Sequence, residues 1–130
     1  MIVIDTSAPV AIVLGEPSGR ACLAILERES EVLISAGTLA ELLIVATTRR
    51  MPDQIFALLD GLKFEVVNVT KATALAVGEA YRRWGKGVHP AGLNYGDCFA
   101  YALAKQLDAP LLFKGNDFIY TDVEPAIQPT

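Results

Sequence analysis

Four carboxylates stand where the sequence is otherwise apolar or tightly turned. Asp5 closes the apolar run at the N-terminus, and Glu41 interrupts a helical pattern of leucine, isoleucine and valine. Asp97 directly precedes an apolar helix pattern, and Asp117 lies in a turn soon after the last apolar run. A carboxylate beside a core is costly to desolvate unless it meets a cation, hydrogen bonds or a metal ion. Four such acids along the whole chain predict one shared cation site.

The chemistry that such a cluster supports is metal-assisted hydrolysis. Mg²⁺ and Mn²⁺ are hard cations that prefer oxygen ligands. A bound ion lowers the pKa of its water and stabilises charge on a phosphodiester, so no covalent nucleophile is required. His89 is the sole histidine and lies in a loop rich in glycine. A histidine-based triad or a zinc site is therefore disfavoured.

The elements that must position these acids alternate between strand and helix patterns. Strands are predicted at residues 2–5, 31–35, 64–69 and 110–113, with a short edge strand at 123–127. Helices are predicted at residues 6–13, 18–28, 38–50, 53–62, 71–84 and 94–107. This alternation indicates an α/β domain with a mainly parallel sheet. Because ligands bind beyond the carboxyl ends of the strands in such sheets, we expect the four acids near one edge.

Asp5 and Asp117 also have structural interpretations. Aspartate is a favoured N-cap residue, so Asp5 is placed to cap the first helix, although Thr6 and Ser7 are equally suitable. Asp117 fits ordinary turn chemistry, because aspartate side chains bond readily to nearby backbone groups. Asp122 lies a few residues further on and competes with Asp117 for the same role.

The other two acids fit helix-capping patterns. Asn94 and Asp97 have the spacing of a capping box, with aspartate in place of the usual glutamate. Thr38 and Glu41 fit the usual form of the same motif. Glu41 nevertheless heads an apolar helix face rather than a solvated one. The conjunction of four acids favours the cation site over four unrelated caps and turns.

Composition indicates one globular domain spanning residues 1–130. Hydrophobic residues make up 52% of the chain, enough for a sizeable core. The 11 basic and 15 acidic residues give a net charge of −4, which argues against a general nucleic-acid coating protein. Cys22 and Cys98 belong to no Cys-x-x-Cys pair and are expected to be reduced core residues. With no signal-peptide pattern and no apolar run near about 20 residues, we expect a soluble, cytoplasmic protein.

Four short motifs follow one another in a fixed order: MIVIDTSA at 1–8, AEL at 40–42, NYGDCFAYALA at 94–104 and LLFKGNDF at 111–118. The ordered set resembles PIN-domain ribonucleases, notably the VapC-type toxins of bacterial toxin–antitoxin pairs. The resemblance covers essentially the full chain, in the order and spacing of that family.

The resemblance implies a three-layer α/β/α PIN fold and an endoribonuclease activity that depends on Mg²⁺ or Mn²⁺. It assigns a catalytic, metal-binding role to four acids: Asp5, Glu41, Asp97 and Asp117. It assigns a supporting role to three polar residues: Thr6, Ser7 and Asn116. Many similar toxins carry two successive acids where this chain has asparagine and aspartate at 116–117. Asp117 then carries the role of the fourth motif alone.

The resemblance also implies partners. They are an RNA substrate, a second copy of the chain in a homodimer, and a VapB-type antitoxin that inserts a segment near the acidic pocket. A non-enzymatic alternative is a catalytically impaired PIN-like module that acts by partner binding. The departure at Asn116 keeps that alternative open, because a fold alone does not guarantee activity.

Several cationic and aromatic residues are candidates for RNA contact. The cations to test first against phosphates are Arg82, Arg83, Lys86 and Lys114, although a solvated surface role is favoured for them. Trp84 and Tyr95 are able to stack on bases, but packing in a core or an interface is the favoured interpretation of both.

Overall fold

A sheet of four parallel strands forms the middle of the protein. The structure, a computed structural model, describes residues 1–127. The strands are β1 (Ile2–Ile4), β2 (Val32–Ser35), β3 (Glu65–Val67) and β4 (Leu111–Leu112), in the spatial order β3-β2-β1-β4. Each neighbouring pair is parallel. The predicted α/β class with a mainly parallel sheet is therefore confirmed.

Helices cover both faces of the sheet. Within residues 1–127 they are α1 (Ser7–Val13), α2 (Gly19–Arg28), α3 (Ala36–Thr48), α4 (Pro52–Gly61), α5 (Lys71–Trp84) and α6 (Tyr95–Leu107), followed after β4 by a 3₁₀ turn at Phe118–Tyr120. Ile2 and Ile4 pack with residues of α1 and α2, whereas Val3 packs with residues of α5 and α6. Since side chains alternate along a strand, β1 separates two helical layers. The expected three-layer α/β/α fold is confirmed.

The buried strands explain why the sequence shows apolar runs rather than alternating patterns. Every residue of β1, β2 and β4 is buried. Strands covered on both faces need apolar side chains on both, which produces continuous apolar runs. Cys22 and Cys98 lie in the two layers as free, buried thiols, as expected. None of the helices within residues 1–127 has the length and apolar character required to span a bilayer.

Helix α3 begins earlier than its sequence pattern suggested. Its N-cap is Ser35, whose hydroxyl accepts a hydrogen bond from the Gly37 N–H at 3.2 Å. Thr38 therefore lies inside the first turn, fully buried, with no hydrogen-bond partner for its hydroxyl. The predicted capping box of Thr38 and Glu41 is wrong, because the serine that ends β2 is an equally good cap and comes first. As a result, the Glu41 side chain is not used in capping.

The predicted edge strand at 123–127 is also wrong. Only one isolated bridge forms there, between Pro125 and Leu111. The Leu111 N–H donates to the Glu124 carbonyl at 2.8 Å, and the Ala126 N–H donates to the Leu111 carbonyl at 2.8 Å. Proline has no N–H to extend a ladder, so the pairing stops after this single bridge.

Candidate active site

Three of the four predicted acids line one cavity at the carboxyl edge of the sheet. Asp5 follows β1, Glu41 lies on α3 directly after β2, and Asp97 lies in the first turn of α6. Together they line a cavity of about 290 Å³. The fold brings together residues far apart in sequence, as the convergence of parallel strands at one edge predicts.

Asp5 is held by the turn that leads from β1 into α1. Its Oδ2 accepts hydrogen bonds from the Ser7 N–H at 3.0 Å and from the Ser7 hydroxyl at 2.7 Å. The Ser7 oxygen in turn accepts the Lys114 N–H at 2.9 Å, which joins this turn to the segment after β4. Asp5 thus accepts the Ser7 N–H at the start of α1 while its carboxylate lines the cavity. The predicted hydrogen-bond support of Asp5 by Ser7 is present. The Thr6 side chain makes no capping hydrogen bond to this helix.

The second oxygen of Asp5 is buried without a partner. Asp5 is only 3% exposed, and its Oδ1 has no hydrogen-bond partner. Burial raises the pKa of Asp5 above its ordinary value, in opposition to the Ser7 hydrogen bonds, and the nearby charge of Glu41 raises it further. Asp5 therefore presents one buried oxygen that no protein group satisfies.

Glu41 is positioned by Thr6 on one side and by Gly96 on the other. The Thr6 hydroxyl donates to Glu41 Oε1 at 2.6 Å. A Cβ atom at position 96 would overlap the Glu41 carboxylate, so glycine leaves room for that carboxylate beside the first turn of α6. Gly96 was not predicted from the sequence as a site residue. The sequence feature that could have indicated its role is a glycine in the first turn of a helix, directly before the predicted site residue Asp97.

Asp97 caps its own helix and borders the cavity. The Asp97 N–H donates to Asn94 Oδ1 at 2.9 Å, and the Asn94 N–H donates to Asp97 Oδ2 at 3.0 Å, so the predicted capping box is confirmed. Burial raises the pKa of Asp97 to about 7, and the Asn94 hydrogen bond opposes this shift. The negative charges of the other acids add to the increase: Asp5, Glu41 and Asp117.

Asp117 stands apart from the other three acids. It is exposed and does not line the cavity, and Asn116 beside it is exposed as well. The 3₁₀ turn that follows directs Phe118 into the core, which leaves the preceding residues in solvent. Asp117 is near enough, however, for its charge to raise the pKa of Asp97. The structure therefore places this residue near the site but outside the cavity lining.

Asp122, the competing candidate, belongs to a different cluster. Its carboxylate accepts a hydrogen bond from the Tyr101 hydroxyl at 2.5 Å and lies 3.4 Å from Lys105 Nζ. Its pKa is lowered, because the Tyr101 hydrogen bond and the Lys105 charge outweigh the effect of burial. Asp122 is thus occupied by structural contacts and does not complete the acidic cavity.

The three cavity acids suit a hard divalent cation in chemistry, although their present spacing does not form a ligand cage. Among residues 1–127, no group of three His, Cys, Asp or Glu side chains is arranged to hold a metal ion. The donors are nevertheless carboxylate oxygens, which Mg²⁺ and Mn²⁺ prefer. A nearby positive charge would give the unpartnered Asp5 Oδ1 a favourable contact. It would also lower the pKa of Asp97 and so favour its ionised form. Mg²⁺ also keeps several waters, so it needs few direct protein ligands.

Two cations border the same cavity. Arg49 and Lys114 are among its lining residues, together with Glu16. Lys114 forms an ion pair with Glu16. Of the four predicted RNA-contacting cations, only Lys114 lines the acidic cavity. Arg49, at the end of α3, was not identified from the sequence, because its place at the cavity follows only from the direction of that helix.

The other predicted cations lie on or near α5. Arg82 pairs with Glu79 at 2.6 Å, and the Arg83 guanidinium lies 5.0 Å from the centre of the Trp84 ring. Lys86 lines a different groove, between α5 and α6. These residues fit the solvated surface role that was favoured for them.

The two candidate aromatic residues behave differently. Trp84 is half-buried and donates to the Tyr101 hydroxyl at 2.9 Å, so the favoured packing role is confirmed. Tyr95 is 74% exposed, and its ring makes an edge contact with Phe99. For Tyr95 packing in the core is wrong, because the first turn of α6 points its side chain outward, whereas packing in an interface with another chain stays a prediction.

Comparison with known proteins agrees with this architecture. The PIN domain family matches residues 2–124. Ribonuclease VapC42 of Mycobacterium tuberculosis is 40% identical over 129 residues, which cover 96% of this chain and 98% of that protein. Ribonuclease VapC36 of the same organism is 43% identical over 127 residues, covering 95% of this chain and 91% of that protein. The chain therefore belongs to the PIN-domain family, among its VapC members.

Solved structures share the fold at lower sequence identity. VapC20 of Mycobacterium tuberculosis, a Sarcin-Ricin loop cleaving toxin, superposes with a TM-score of 0.73 at 17% identity, covering 95% of this chain and 98% of that one. VapBC2 of Rickettsia felis, bound to a DNA fragment from its promoter, gives a TM-score of 0.70 at 21% identity, with 96% of each chain covered.

Proposed function

We propose that this chain is a single PIN domain acting as a metal-dependent endoribonuclease, the toxin of a type II toxin–antitoxin pair. The observation that carries the proposal is the cavity where Asp5, Glu41 and Asp97 meet, with one unpartnered buried oxygen and a carboxyl pKa raised to about 7. Strongly shifted acids in a cleft are characteristic of catalytic sites. The ribonuclease names of the most similar relatives support RNA as the substrate.

The proposed cofactor is Mg²⁺ or Mn²⁺, held by Asp5, Glu41 and Asp97. When bound, such an ion supplies an acidified water and stabilises charge on a phosphodiester. Ser7 fixes the direction of the Asp5 carboxylate, and Thr6 fixes that of Glu41. Asp117, supported by Asn116, adds negative charge at the border of the site and is proposed as its fourth acid.

The cavity cations are proposed to bind the RNA phosphate. Lys114 exchanges its ion pair with Glu16 for an ion pair with the phosphate. Arg49, directly after the C-terminal end of α3, binds the phosphate from within the same cavity. Both cations line the wall that also carries the acids, so a phosphate there meets positive charge beside the proposed metal ligands.

The proposed partners are a VapB-type antitoxin and a second copy of the chain. Solved structures with this fold include toxin–antitoxin complexes, which supports an antitoxin partner. Exposed apolar side chains on and beside α5, with Val69 at 43% and Leu75 at 67%, support a homodimer through that helix. We propose that the complex acts in the cytoplasm.

The alternative is a PIN-like module that binds partners without cleaving RNA. The exposed position of Asp117, away from the other acids, is the observation that favours it. A site short of one acid holds its metal ions less tightly.

Cleavage of cellular RNA by the wild type and by Asp5→Asn, each with Mg²⁺ and with chelator, tests the proposal. We expect activity only in the wild type with Mg²⁺. Asp60→Asn, which removes an exposed acid on α4, serves as the matched control and is expected to remain active. Activity that survives both the substitution and the chelator would contradict the metal-carboxylate mechanism. A wild type that cleaves no RNA would favour the binding module.

A further inference from the structure

A second cavity adjoins the acidic one across Glu41. It has a volume of about 350 Å³, and Glu41 lines both cavities. Its large lining side chains are Ile44, Tyr95 and Phe99, and its small lining residues are Gly37, Ala40 and Gly96. The volume falls within the range of about 300–1,000 Å³ that is usual for ligand pockets.

The two cavities differ in chemistry. The first is lined by four carboxylates, those of Asp5, Glu16, Glu41 and Asp97, and by two cations, whereas Glu41 is the single charged residue that lines the second. A ligand that fills both must therefore carry an apolar, flat group beside a charged one. A nucleotide has this composition, because its base is joined through the sugar to a phosphate.

Tyr95 supplies an exposed aromatic surface to the second cavity. Among residues 1–127 it has the highest exposed fraction of the large apolar side chains, 74%, and Ile44 beside it is 64% exposed. The Tyr95 ring meets Phe99 edge-on, with a centroid distance of 5.1 Å and an interplanar angle of 83°. A T-shaped contact covers at most one face of the Tyr95 ring, and base stacking uses a face of an aromatic ring.

Two glycines preform this cavity. A Cβ atom at Gly37 would overlap the Phe99 ring, and one at Gly96 would overlap the Glu41 carboxylate. Helices α3 and α6 therefore approach each other closely enough for Phe99 and Glu41 to form adjoining walls. A wall that is already in place needs little ordering when a ligand binds.

We propose that this second cavity, the base pocket, receives one nucleobase of the RNA strand, stacked on Tyr95, while the adjoining phosphate lies in the acidic cavity. The proposal rests on the function proposed above and names how that site holds its substrate. Because stacking is available to every base, the presence of a base matters more than its identity.

A binding experiment tests the base pocket without any chemistry. Labelled single-stranded RNA of mixed sequence is titrated in chelator into Asp97→Asn protein, with and without Tyr95→Ala. Removal of a stacking aromatic is expected to weaken binding about tenfold to a hundredfold. Tyr95→Phe is expected to restore the wild-type value, and Tyr120→Ala, which removes an exposed tyrosine lining neither cavity, is expected to leave it unchanged.

A cleavage experiment then locates the base. An oligonucleotide containing the cleaved linkage is prepared with each nucleotide replaced in turn by an abasic one. Wild-type kcat/KM is expected to fall at one position beside the linkage, and Tyr95→Ala is expected to show no such discrimination there. The abasic nucleotide and Tyr95→Ala remove the same contact, so their effects on kcat/KM are not additive. This lack of additivity distinguishes the loss of stacking from other effects of the substitution.

Three outcomes would overturn the base pocket while leaving the nuclease proposal intact. They are unchanged RNA binding by Tyr95→Ala, retained abasic discrimination by that variant, and dissociation of a dimer as the sole effect of the substitution in size-exclusion chromatography. RNA binding by the Asp97→Asn protein in chelator, together with no cleavage of RNA by the wild type in Mg²⁺, would contradict the nuclease proposal instead.

Discussion

At the scale of single residues, Gly96 determines how closely Glu41 approaches α6. The Glu41 carboxylate occupies the space that a side chain at position 96 would need. This carboxylate is the flexible end of its side chain, so an added methyl group displaces it rather than disrupting the helix. The geometry of the acidic cavity therefore depends on a residue that carries no functional group.

Gly96→Ala is expected to reduce RNA cleavage about tenfold to a hundredfold, as is usual when the residues that orient metal ligands are altered. The free energy of unfolding is expected to stay the same or rise, since alanine favours a helix. Gly78→Ala on α5 is the matched control. A Cβ atom there meets nothing within 4 Å, so we expect a gain of about 0.5–1 kcal/mol in stability with unchanged cleavage. Full activity in Gly96→Ala would show that the position of Glu41 does not matter.

Asp97 carries a second prediction. Burial and the neighbouring acids disfavour its charged form, so the isosteric Asp97→Asn removes an unfavourable charge while keeping an oxygen for the Asn94 N–H. In chelator at pH 8, we expect Asp97→Asn to unfold at a higher temperature, with a gain of about 0.5–2 kcal/mol. Addition of Mg²⁺ should raise the Tm of the wild type but not that of the variant. Equal Tm values in chelator would mean that the charge has no cost in the folded protein.

At the scale of elements, Ser7 joins the start of α1 to the segment after β4. Its hydroxyl donates to Asp5 and accepts from the Lys114 N–H, so two ends of the sequence meet at one side chain. Hydrogen bonds to a charged group contribute about 1.5–3 kcal/mol, more than those between neutral groups. This serine therefore has both a structural and a positioning role.

Ser7→Ala is expected to lower the free energy of unfolding by about 1–3 kcal/mol and to lower cleavage as well, because Asp5 loses one of the two bonds that orient it. Urea unfolding and RNA cleavage measure the two effects. Ser18→Ala is the matched control, since the Ser18 hydroxyl is buried without a partner and does not cap α2. Its removal is expected to be neutral or stabilising. Equal losses in the two variants would contradict a specific role for Ser7.

The elements also show what the sequence could predict. The four strands of the sheet, their parallel pairing and the capping box of Asn94 and Asp97 were predictable from apolar patterns and cap chemistry, whereas the expected edge strand at 123–127 did not form. The start of α3 was not, because Ser35 and Thr38 are both good caps and the choice depends on where β2 ends.

Side-chain placement within the site was only partly predictable. The meeting of Asp5, Glu41 and Asp97 followed from sheet topology. The position of Asp117 depends on a 3₁₀ turn and a buried phenylalanine that have no clear sequence pattern. The exposure of Tyr95 depends on the direction of one helix turn, which an apolar residue type does not reveal.

At the scale of the whole molecule, the acidic cavity makes stability depend on pH. The pKa values of Asp5 and Asp97 are raised in the folded protein, so the folded state binds more protons than the unfolded state above the ordinary pKa of 3.8. The contribution of Asp97 to stability is therefore largest below pH 3.8 and is lost as the pH rises through about 7, and the contribution of Asp5 is lost in the same direction.

We expect the stability difference between Asp97→Asn and the wild type to be small at pH 4, to grow with pH and to level off above about pH 7. Thermal unfolding in chelator across this range measures it, and the comparison cancels the contributions of all other groups. With Mg²⁺ present, metal-induced stabilisation should weaken as the pH falls below about 7, because protons compete for the carboxylates. A difference that does not vary with pH would contradict the raised pKa.

The strand order has a consequence for how the protein is made. β1 is the first strand to be synthesised, yet it lies between β2 and β4, and β4 is the last. Domains form from the N-terminus as the chain leaves the ribosome, but β1 cannot gain its second neighbour until residues 111–112 have emerged. A growing chain that already displays Asp5 and Glu41 still lacks Asp97 and the Lys114 contact to Ser7. The cavity is therefore completed only after β4 has paired with β1 and Lys114 has reached Ser7.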